Sequence, residues 1–239
     1  MKVLASIGGW TYSKAMHSLM LEPSKRTRLV DSCTDLLLNQ YGDIFDGLDI
    51  DLEYPCPPGL ENCGPDITPS DNDKDYFTAL MTEFRTKMSK DKILTIASSA
   101  NPAVIPGMDL PKLNALLDWY NIMTYDFTSG SWGDHLTGHH AKTLKSEDPL
   151  ASRTGFSAEE AGDFYVQSGA EASKINIGVA FYGRGFKLAE DASHEEVRTN
   201  AYVNANKGLD FGSSERNFFD YRDLKRDYLD QEVVLDEAS

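Results

Sequence analysis

The amino-acid sequence predicts an α/β fold in which parallel strands and helices alternate along the chain and close into a barrel. Short apolar, β-branched runs of strand length alternate with longer segments whose apolar residues recur at helical spacing. The strand-like runs are apolar on one face and small or polar on the other. This pattern suits the strands of an α/β barrel whose interior is functional.

Five runs predict strands, at residues 3–8, 44–54, 93–98, 120–125 and 175–182. Two intervening segments predict helices, because their apolar residues recur every three or four positions. These residues are Leu29, Cys33, Leu36 and Leu37 in residues 24–41, and Phe77, Leu80, Met81, Phe84 and Met88 in residues 72–89. A further helix is predicted to begin at Ser157, where Glu160 completes a capping box.

The last quarter of the sequence changes character. Residues 187–239 are polar and rich in aromatic side chains, with no clear alternation of strand and helix patterns. We therefore predict a barrel portion over residues 1–186, followed by part of an α+β insertion over residues 187–239.

Charge and hydropathy limit the classes of partner. Lys and Arg total 23 against 38 Asp and Glu, which gives a net charge of -15. Such a chain repels nucleic-acid phosphates and anionic membranes, so we predict neither as a partner. No segment is long and apolar enough to span a bilayer. The first ten residues, MKVLASIGGW, read as a strand entering a glycine turn, and they lack the apolar run of a signal peptide.

The cysteines and histidines do not predict a metal site or any cofactor. Cys56 and Cys63 bracket a short loop, and they are either a disulfide, which we favour and which suits an extracellular setting, or two reduced thiols. Cys33 is predicted to lie in the core. A loop carries His135, His139 and His140 without an acidic ligand beside them, and no Cys/His spacing resembles a zinc site.

The second predicted strand carries an unusual row of acids in DGLDIDLEYP. Side chains alternate along a strand, so Asp49, Asp51 and Glu53 share one face while the opposite face is aliphatic. Asp46 has the other parity and is interpreted as structural. A solvated edge strand would also expose an acidic face, but it would not account for the wholly aliphatic opposite face.

Carboxylates about 6–7 Å apart on one strand face do not all stay ionised in a partly desolvated site. One proton is then shared among them, and at least one pKa is raised. A glutamic acid held protonated near neutral pH is what a general acid requires. Glu53 comes last on the strand, so we expect it at the C-terminal mouth of the barrel, where active sites are built.

The acidic stretch resembles the Asp-x-x-Asp-x-Asp-x-Glu signature on the fourth barrel strand of family-18 glycoside hydrolases, the chitinases. Three other stretches are similar to motifs of the third, sixth and seventh strands, and all four occur in the family's order. They are SIGGW at 6–10, NIMTYDF at 121–127 and GVAFYGRGF at 178–186. The resemblance implies a (β/α)8 TIM barrel, of which the five predicted strands correspond to the third through the seventh.

The resemblance also implies a retaining, substrate-assisted hydrolysis of β-1,4 linkages in chitin or chitooligosaccharides. In it Glu53 protonates the glycosidic oxygen, and the acetamido group of the substrate attacks its own anomeric carbon to form an oxazolinium ion. Asp51 orients the acetamide, Asp49 shares the proton of Asp51, and Tyr125 donates a hydrogen bond to the acetamido oxygen.

The sugar contacts that the resemblance implies come from all four motifs and their flanks. They are Trp10, Tyr54, Met123, Asp126, Trp132, Tyr182 and Arg184. Trp10 and Trp132 are interpreted as stacking platforms, although each could also anchor its loop. Trp119, by contrast, is predicted to lie in the core.

In the family pattern, the first two barrel strands would precede Met1. The eighth strand would follow Ser239, and it carries the tryptophan that lies at the base of the cleavage subsite. We expect the full-length parent to be secreted and monomeric. Three alternatives stay open: an inactive chitin-binding lectin, a truncated chitinase fragment and an endo-β-N-acetylglucosaminidase. The intact acids argue against a lectin, and the Tyr-Gly-Arg segment with the α+β tail favours the chitinase branch.

Overall fold

A computed structural model describes residues 1–129, 136–192, 202, 205–207, 211–213 and 216–228. The chain divides into two compact units. The first unit comprises Met1–Met123 and Gly162–Ile177, and the second comprises Thr124–Ala161 and Gly178–Ser239. The predicted division between residues 186 and 187 concerns the barrel and its insertion, and it stays a prediction.

The first unit is built on a parallel sheet of five strands, which is part of a (β/α) barrel. In sheet order the strands are β1 (Leu4–Gly8), β2 (Gly47–Asp51), β3 (Ile93–Ser99), β4 (Trp119–Met123) and β5 (Ile175–Ile177). Sheet order equals chain order and every neighbouring pair is parallel, as the alternation of strands and helices predicted. All five predicted strands are confirmed.

Three strands end earlier than predicted, and one of them, β4, ends at Met123, so Tyr125 follows the strand. β2 ends at Asp51, so Glu53 and Tyr54 follow the strand and do not lie on it. β5 ends at Ile177, and Tyr182 begins a separate strand in the second unit. An apolar run marks where a strand can form, but it does not mark where the partner strands stop pairing.

Helices connect the strands. They are α1 (Ser13–Leu21), α2 (Pro23–Cys33) with a π-helical continuation over Thr34–Gln40, α3 (Asp73–Lys87), α4 (Leu110–Leu113) and α5 (Ala158–Gln167). Short 3-10 turns occupy Trp10–Tyr12, Ile105–Gly107, Ala151–Thr154 and Ala172–Lys174. The predicted apolar face of α3 is buried. The capping box at the start of α5 is also confirmed, because the Glu160 N–H donates to Ser157 Oγ at 3.1 Å and the Ser157 N–H donates to Glu160 Oε2 at 3.0 Å.

The apolar stripe predicted for residues 24–41 is wrong by one position. The buried side chains recur every fourth residue and are Arg26, Val30, Thr34 and Leu38. Leu36 is 45% exposed and Cys33 is only half-buried, so Cys33 is not a core residue. Arg26 lies on this buried face, where its guanidinium donates to Glu83 Oε1 of α3 at 2.7 Å and to the Met20 carbonyl at 3.0 Å.

Alternation along the strands is as predicted. On β2 the aliphatic residues Leu48 and Ile50 are fully buried, whereas Asp49 and Asp51 are half-buried on the other face. On β4 the buried residues are Tyr120 and Ile122. One face of the sheet therefore forms the core, and the other presents polar side chains. Trp119, predicted as core, is half-buried at the start of β4.

The described residues of the second unit include two short antiparallel pairs. β6 (Tyr182–Arg184) pairs with β9 (Phe218–Asp220), and β7 (Lys187–Leu188) pairs with β8 (Ala205–Lys207). The helix α6 (Tyr221–Asp227) follows β9 directly. Within the described part of the chain, no helix is long and apolar enough to cross a bilayer.

Candidate functional site

Asp49 lies at the centre of a polar layer on the inner face of the sheet. Its carboxylate accepts hydrogen bonds from Ser6 Oγ of β1 at 2.9 Å, Thr95 Oγ1 of β3 at 2.6 Å and Asn121 Nδ2 of β4 at 3.1 Å. An ionised carboxylate only accepts, so three convergent donors suit a negative charge at this position. Asn121 in turn accepts from Asn176 Nδ2 of β5 at 3.2 Å, so the layer crosses all five strands.

Asp51, two residues along the same face, has the opposite environment. Its Oδ1 is buried and has no hydrogen-bond partner among the residues that the structure describes. Burial, together with the negative charge of Asp49, raises the pKa of Asp51 from 3.8 to about 6. Asp51 therefore holds its proton at mildly acidic pH, in agreement with the raised pKa predicted for this row of acids.

Glu53 follows the end of β2 and is held through its backbone. Its N–H donates to Ser13 Oγ at 2.8 Å, and a Cβ at Gly64 would overlap its carbonyl oxygen. The peptide bond from Glu53 to Tyr54 is cis. Burial, followed by the adjacent Glu53 carboxylate, raises the pKa of the Tyr54 hydroxyl well above its usual value. Glu53 and Tyr54 are therefore direct neighbours through their side chains.

The loop after Glu53 is closed by the disulfide Cys56–Cys63, with the two Cα atoms 5.7 Å apart. This settles the choice left open between a disulfide and two thiols. The disulfide is buried with Ile67, and Leu60 packs against it. A small apolar cluster thus holds the loop that begins three residues after Glu53.

The SIGGW motif brings the end of β1 against Asp51. Gly8 has φ +118°, and a Cβ there would overlap the Asp51 carbonyl oxygen. Gly9 has φ +83°, and its N–H donates to that oxygen at 2.8 Å. Trp10 follows immediately and is 57% exposed, so its ring is available for contact. Met123, another predicted sugar contact, is half-buried at the end of β4.

In the second unit, Asp126 and Arg184 form a bidentate ion pair. Arg184 Nε donates to Asp126 Oδ1 at 2.8 Å, and Arg184 Nη2 donates to Oδ2 at 3.0 Å. The Arg184 side chain is 8% exposed and that of Asp126 is 35% exposed. Burial opposes the charge on Asp126, but the contacts with His140 and Arg184 hold its pKa well below the usual range. Asp126 has φ +58°, a left-handed conformation that orients its side chain.

Aromatic rings surround this ion pair. Tyr182 stacks on Phe218 with centroids 4.5 Å apart and meets the edge of Tyr125 at 6.0 Å. The Arg184 guanidinium lies 5.3 Å from the Tyr182 centroid and 5.2 Å from that of Phe218. His140 Nε2 lies 3.1 Å from the Tyr182 carbonyl oxygen. Four predicted residues of this unit, Tyr125, Asp126, Tyr182 and Arg184, therefore form one cluster.

Some predicted residues are not tested, and others were missed. Trp132 and His135 lie outside the described residues. Across the described ranges, no group of His, Cys, Asp and Glu could hold a metal ion. Ser13, Thr95 and Phe218 were not predicted as site residues, and His140 was considered only as a metal ligand. Strand parity could have identified Thr95, because it shares the inner face with its register partner Asp49.

Comparison with known proteins places this geometry in context. The sequence model described as "Glycosyl hydrolases family 18" matches residues 1–237. Chitinase A1 of Niallia circulans is 32% identical over 97% of this chain, and chitinase 1 of Aphanocladium album is 30% identical over 95%. The chain spans 33% and 49% of these relatives' lengths.

Among solved structures, catalytic domain 2 of the Ostrinia furnacalis Group II chitinase is similar to the chain with a TM-score of 0.81 and 31% identity. The match covers 99% of this chain and 60% of that one. An E2180L mutant of that domain, solved with a bound penta-N-acetylchitooctaose, gives a TM-score of 0.78 at 29% identity.

Proposed function

Since the chain belongs to family 18 of the glycosyl hydrolases, we propose that it acts as a chitinase, hydrolysing β-1,4 linkages between N-acetylglucosamine units. The observation that carries the proposal is the difference in environment between two neighbouring acids on β2. Asp49 is held by three donors, while Asp51 is buried with a pKa of about 6. Glu53 follows directly on the chain. The chitinases among its relatives, and the N-acetylglucosamine oligomer bound to one similar structure, support this substrate class.

The proposed reaction is retaining and substrate-assisted, an exception to the usual scheme of two catalytic carboxylates. Glu53 donates its proton to the glycosidic oxygen as the bond to the anomeric carbon breaks. The carbonyl oxygen of the substrate's own acetamido group forms the new bond to that carbon and gives an oxazolinium ion. Glu53, now a carboxylate, takes a proton from water, whose oxygen opens the ring with the original anomeric configuration.

The two aspartates have different parts in this proposal. Burial, together with the neighbouring Asp49 carboxylate, keeps a proton on Asp51 in the free protein at mildly acidic pH. Asp51 would orient the acetamide N–H and, as positive charge develops on the oxazolinium ion, supply negative charge beside it. Tyr125 would donate a hydrogen bond to the acetamido oxygen.

For sugar binding we propose the residues that the motifs indicated: Trp10, Tyr54, Met123, Asp126, Trp132, Tyr182 and Arg184. Their settings suggest two kinds of role. Trp10 is exposed and offers a ring face for stacking. Arg184 is nearly buried against Asp126 and two rings, which favours a part in orienting the Asp126 carboxylate over direct contact with substrate.

The remaining proposals concern localisation, oligomeric state and the alternative functions. The buried disulfide Cys56–Cys63 supports secretion, because disulfides persist in oxidising compartments. We also propose that the protein works as a monomer. A chitin-binding lectin is not favoured, since Asp49, Asp51 and Glu53 are all present.

The proposal is tested by hydrolysis of a fluorogenic chitotriose substrate by the wild-type protein and Glu53→Gln. We expect turnover by the wild type and a loss of at least about 10²-fold in the variant, because a general acid contributes about 10²–10⁴-fold. Glu61→Gln removes an exposed glutamate from the following loop and serves as the matched control. A wild type without turnover, or a Glu53→Gln variant as active as the control, would contradict the proposal.

A further inference from the structure

Helix α1 carries two buried polar side chains on one face. Ser13 is 0% exposed and His17 is 2% exposed, although the neighbouring buried residues of the helix are Met16 and Met20. Residues four apart lie one above the other on a helix, so Ser13 and His17 face the same way. Buried polar groups require partners, and both of these find them around the segment that follows β2.

Ser13 fixes the backbone in front of the Glu53 side chain. Its Oγ donates to the Gly9 carbonyl at 2.9 Å and accepts the Glu53 N–H at 2.8 Å, so the hydroxyl acts in both directions. Gly9 connects Ser13 to the end of β2, because the Gly9 N–H donates to the Asp51 carbonyl at 2.8 Å. The end of β1, the start of α1 and the end of β2 are thereby linked.

His17 acts on the other side of Glu53, through Asp73. His17 Nε2 lies 2.7 Å from Asp73 Oδ2, and the Cys56 N–H donates to that same oxygen at 3.1 Å. Asp73 Oδ2 thus lies between the His17 ring and the Cys56 backbone N–H. The carboxylate is fully buried, and its Oδ1 has no partner among the described residues. The position of Asp73 therefore depends on these two contacts.

The segment between these anchors has no strand pairing of its own. β2 ends at Asp51, and the ladder to β3 ends at Ile50. Residues 52–56 adopt no regular structure. Side-chain bonds to the Glu53 and Cys56 backbone N–H groups contribute to holding their course. Gly64 and Gly107 also contribute, because their missing Cβ atoms leave room for the Glu53 and Pro55 carbonyls.

We propose that Ser13 and the His17–Asp73 pair are positioning residues for Glu53. Ser13 holds the backbone before Glu53–Tyr54–Pro55, and His17, through Asp73, holds the backbone after it. Together they set the direction of the Glu53 carboxyl group. The inference rests on the proposed function, in which Glu53 is the general acid. Proton transfer depends on the position of the acid relative to the glycosidic oxygen. A substitution outside the reacting groups that displaces the acid by about 1 Å can lower the rate by about 10²-fold.

The test measures kcat and KM for chitotriose hydrolysis in Ser13→Ala, His17→Leu and His17→Gln. We expect Ser13→Ala and His17→Leu to lower kcat by about 10–100-fold with KM changed by less than about twofold, because binding of sugar rings elsewhere is left intact. His17→Gln keeps a donor toward Asp73 and should retain most of kcat. Ser18→Ala, on the exposed side of α1, is the matched control and should behave as wild type.

Near-ultraviolet circular dichroism gives the folded fraction of each variant, and rates are expressed per folded protein. Wild-type kcat in folded Ser13→Ala and His17→Leu would overturn this inference and leave the proposed function standing. The same holds if His17→Gln loses as much kcat as His17→Leu, because a retained donor would then count for nothing. A wild type without hydrolysis would contradict the proposed function, and this inference with it.

Discussion

Asn121 on β4 donates a hydrogen bond of 3.1 Å to the Asp49 carboxylate on β2, across the intervening strand β3. Thr95 on β3 donates to the same oxygen at 2.6 Å. Side chains from strands that are not neighbours therefore converge on one carboxylate. The inner face of the sheet is thus organised around the Asp49 carboxylate, and burial together with that carboxylate raises the pKa of the neighbouring Asp51.

Removing one donor to Asp49 should weaken both the fold and the proposed chemistry. Thr95→Val keeps the shape of a fully buried side chain but removes its hydroxyl. A hydrogen bond to a charged group contributes about 1.5–3 kcal/mol, so we expect the free energy of unfolding to fall by that amount. Urea unfolding measures it, with Thr86→Val on the exposed face of α3 as the control. Equal losses in the two variants would contradict a special role for Thr95.

The raised pKa of Asp51 predicts a dependence of stability on pH. The folded protein binds the Asp51 proton up to about pH 6, whereas the unfolded chain releases it near pH 3.8. Between these values the native state holds more protons, so Asp51 makes the fold less stable as pH rises. Asp51→Asn should therefore gain stability relative to wild type from about pH 4 to about pH 6, with no further gain above. Urea unfolding across this range tests it, and a difference that is constant with pH would be incompatible with a raised pKa.

The disulfide Cys56–Cys63 should stabilise the protein and support Glu53. It closes a loop with a sequence separation of 7, and a loop of that size is expected to contribute about 2–3 kcal/mol. The double variant Cys56→Ala/Cys63→Ala should lose that much stability and show a lower kcat, since the loop begins beside the proposed acid. Cys33→Ala serves as the control, because Cys33 is the free cysteine. Full stability and kcat in the double variant would argue against this role.

The Asp126–Arg184 pair should persist well into acid. The pKa of Asp126 is lowered in the folded protein, so its contribution to stability is present above the ordinary aspartate pKa and is lost only as pH falls through the lower folded value. Arg184→Met should be less stable than wild type by about 1.5–3 kcal/mol at pH 7, and the difference should shrink below about pH 4. Arg184→Lys should restore little, because an ammonium group cannot form the bidentate contact. An Arg184→Lys variant as stable as the wild type would refute the importance of the bidentate geometry.

Local patterns predicted the strands and their faces well, because period-two alternation is a property of the chain itself. Leu48 and Ile50 are buried and Asp49 and Asp51 face the polar layer, as the sequence indicated. The prediction failed for the buried face of α2. Arg26 lies on the buried face of α2 and contacts Glu83, 57 residues away, and nothing local signals that pairing.

The same limit applies to the candidate site. A serine and a histidine four residues apart on an apolar helix face are visible in the sequence. Their partners, Glu53 and Asp73, lie 40 and 56 residues away. The motifs located the acids of the proposed reaction, but the side chains that hold those acids became apparent only in the fold.

The proposed reaction cleaves chitin oligomers with retention of anomeric configuration. Time-resolved proton NMR of the first product released from a chitooligosaccharide tests it most directly, because mutarotation is slow enough for the initial anomer to be observed. We expect the β-anomer to form first. An α-anomer as the first product, or no cleavage at all, would contradict it.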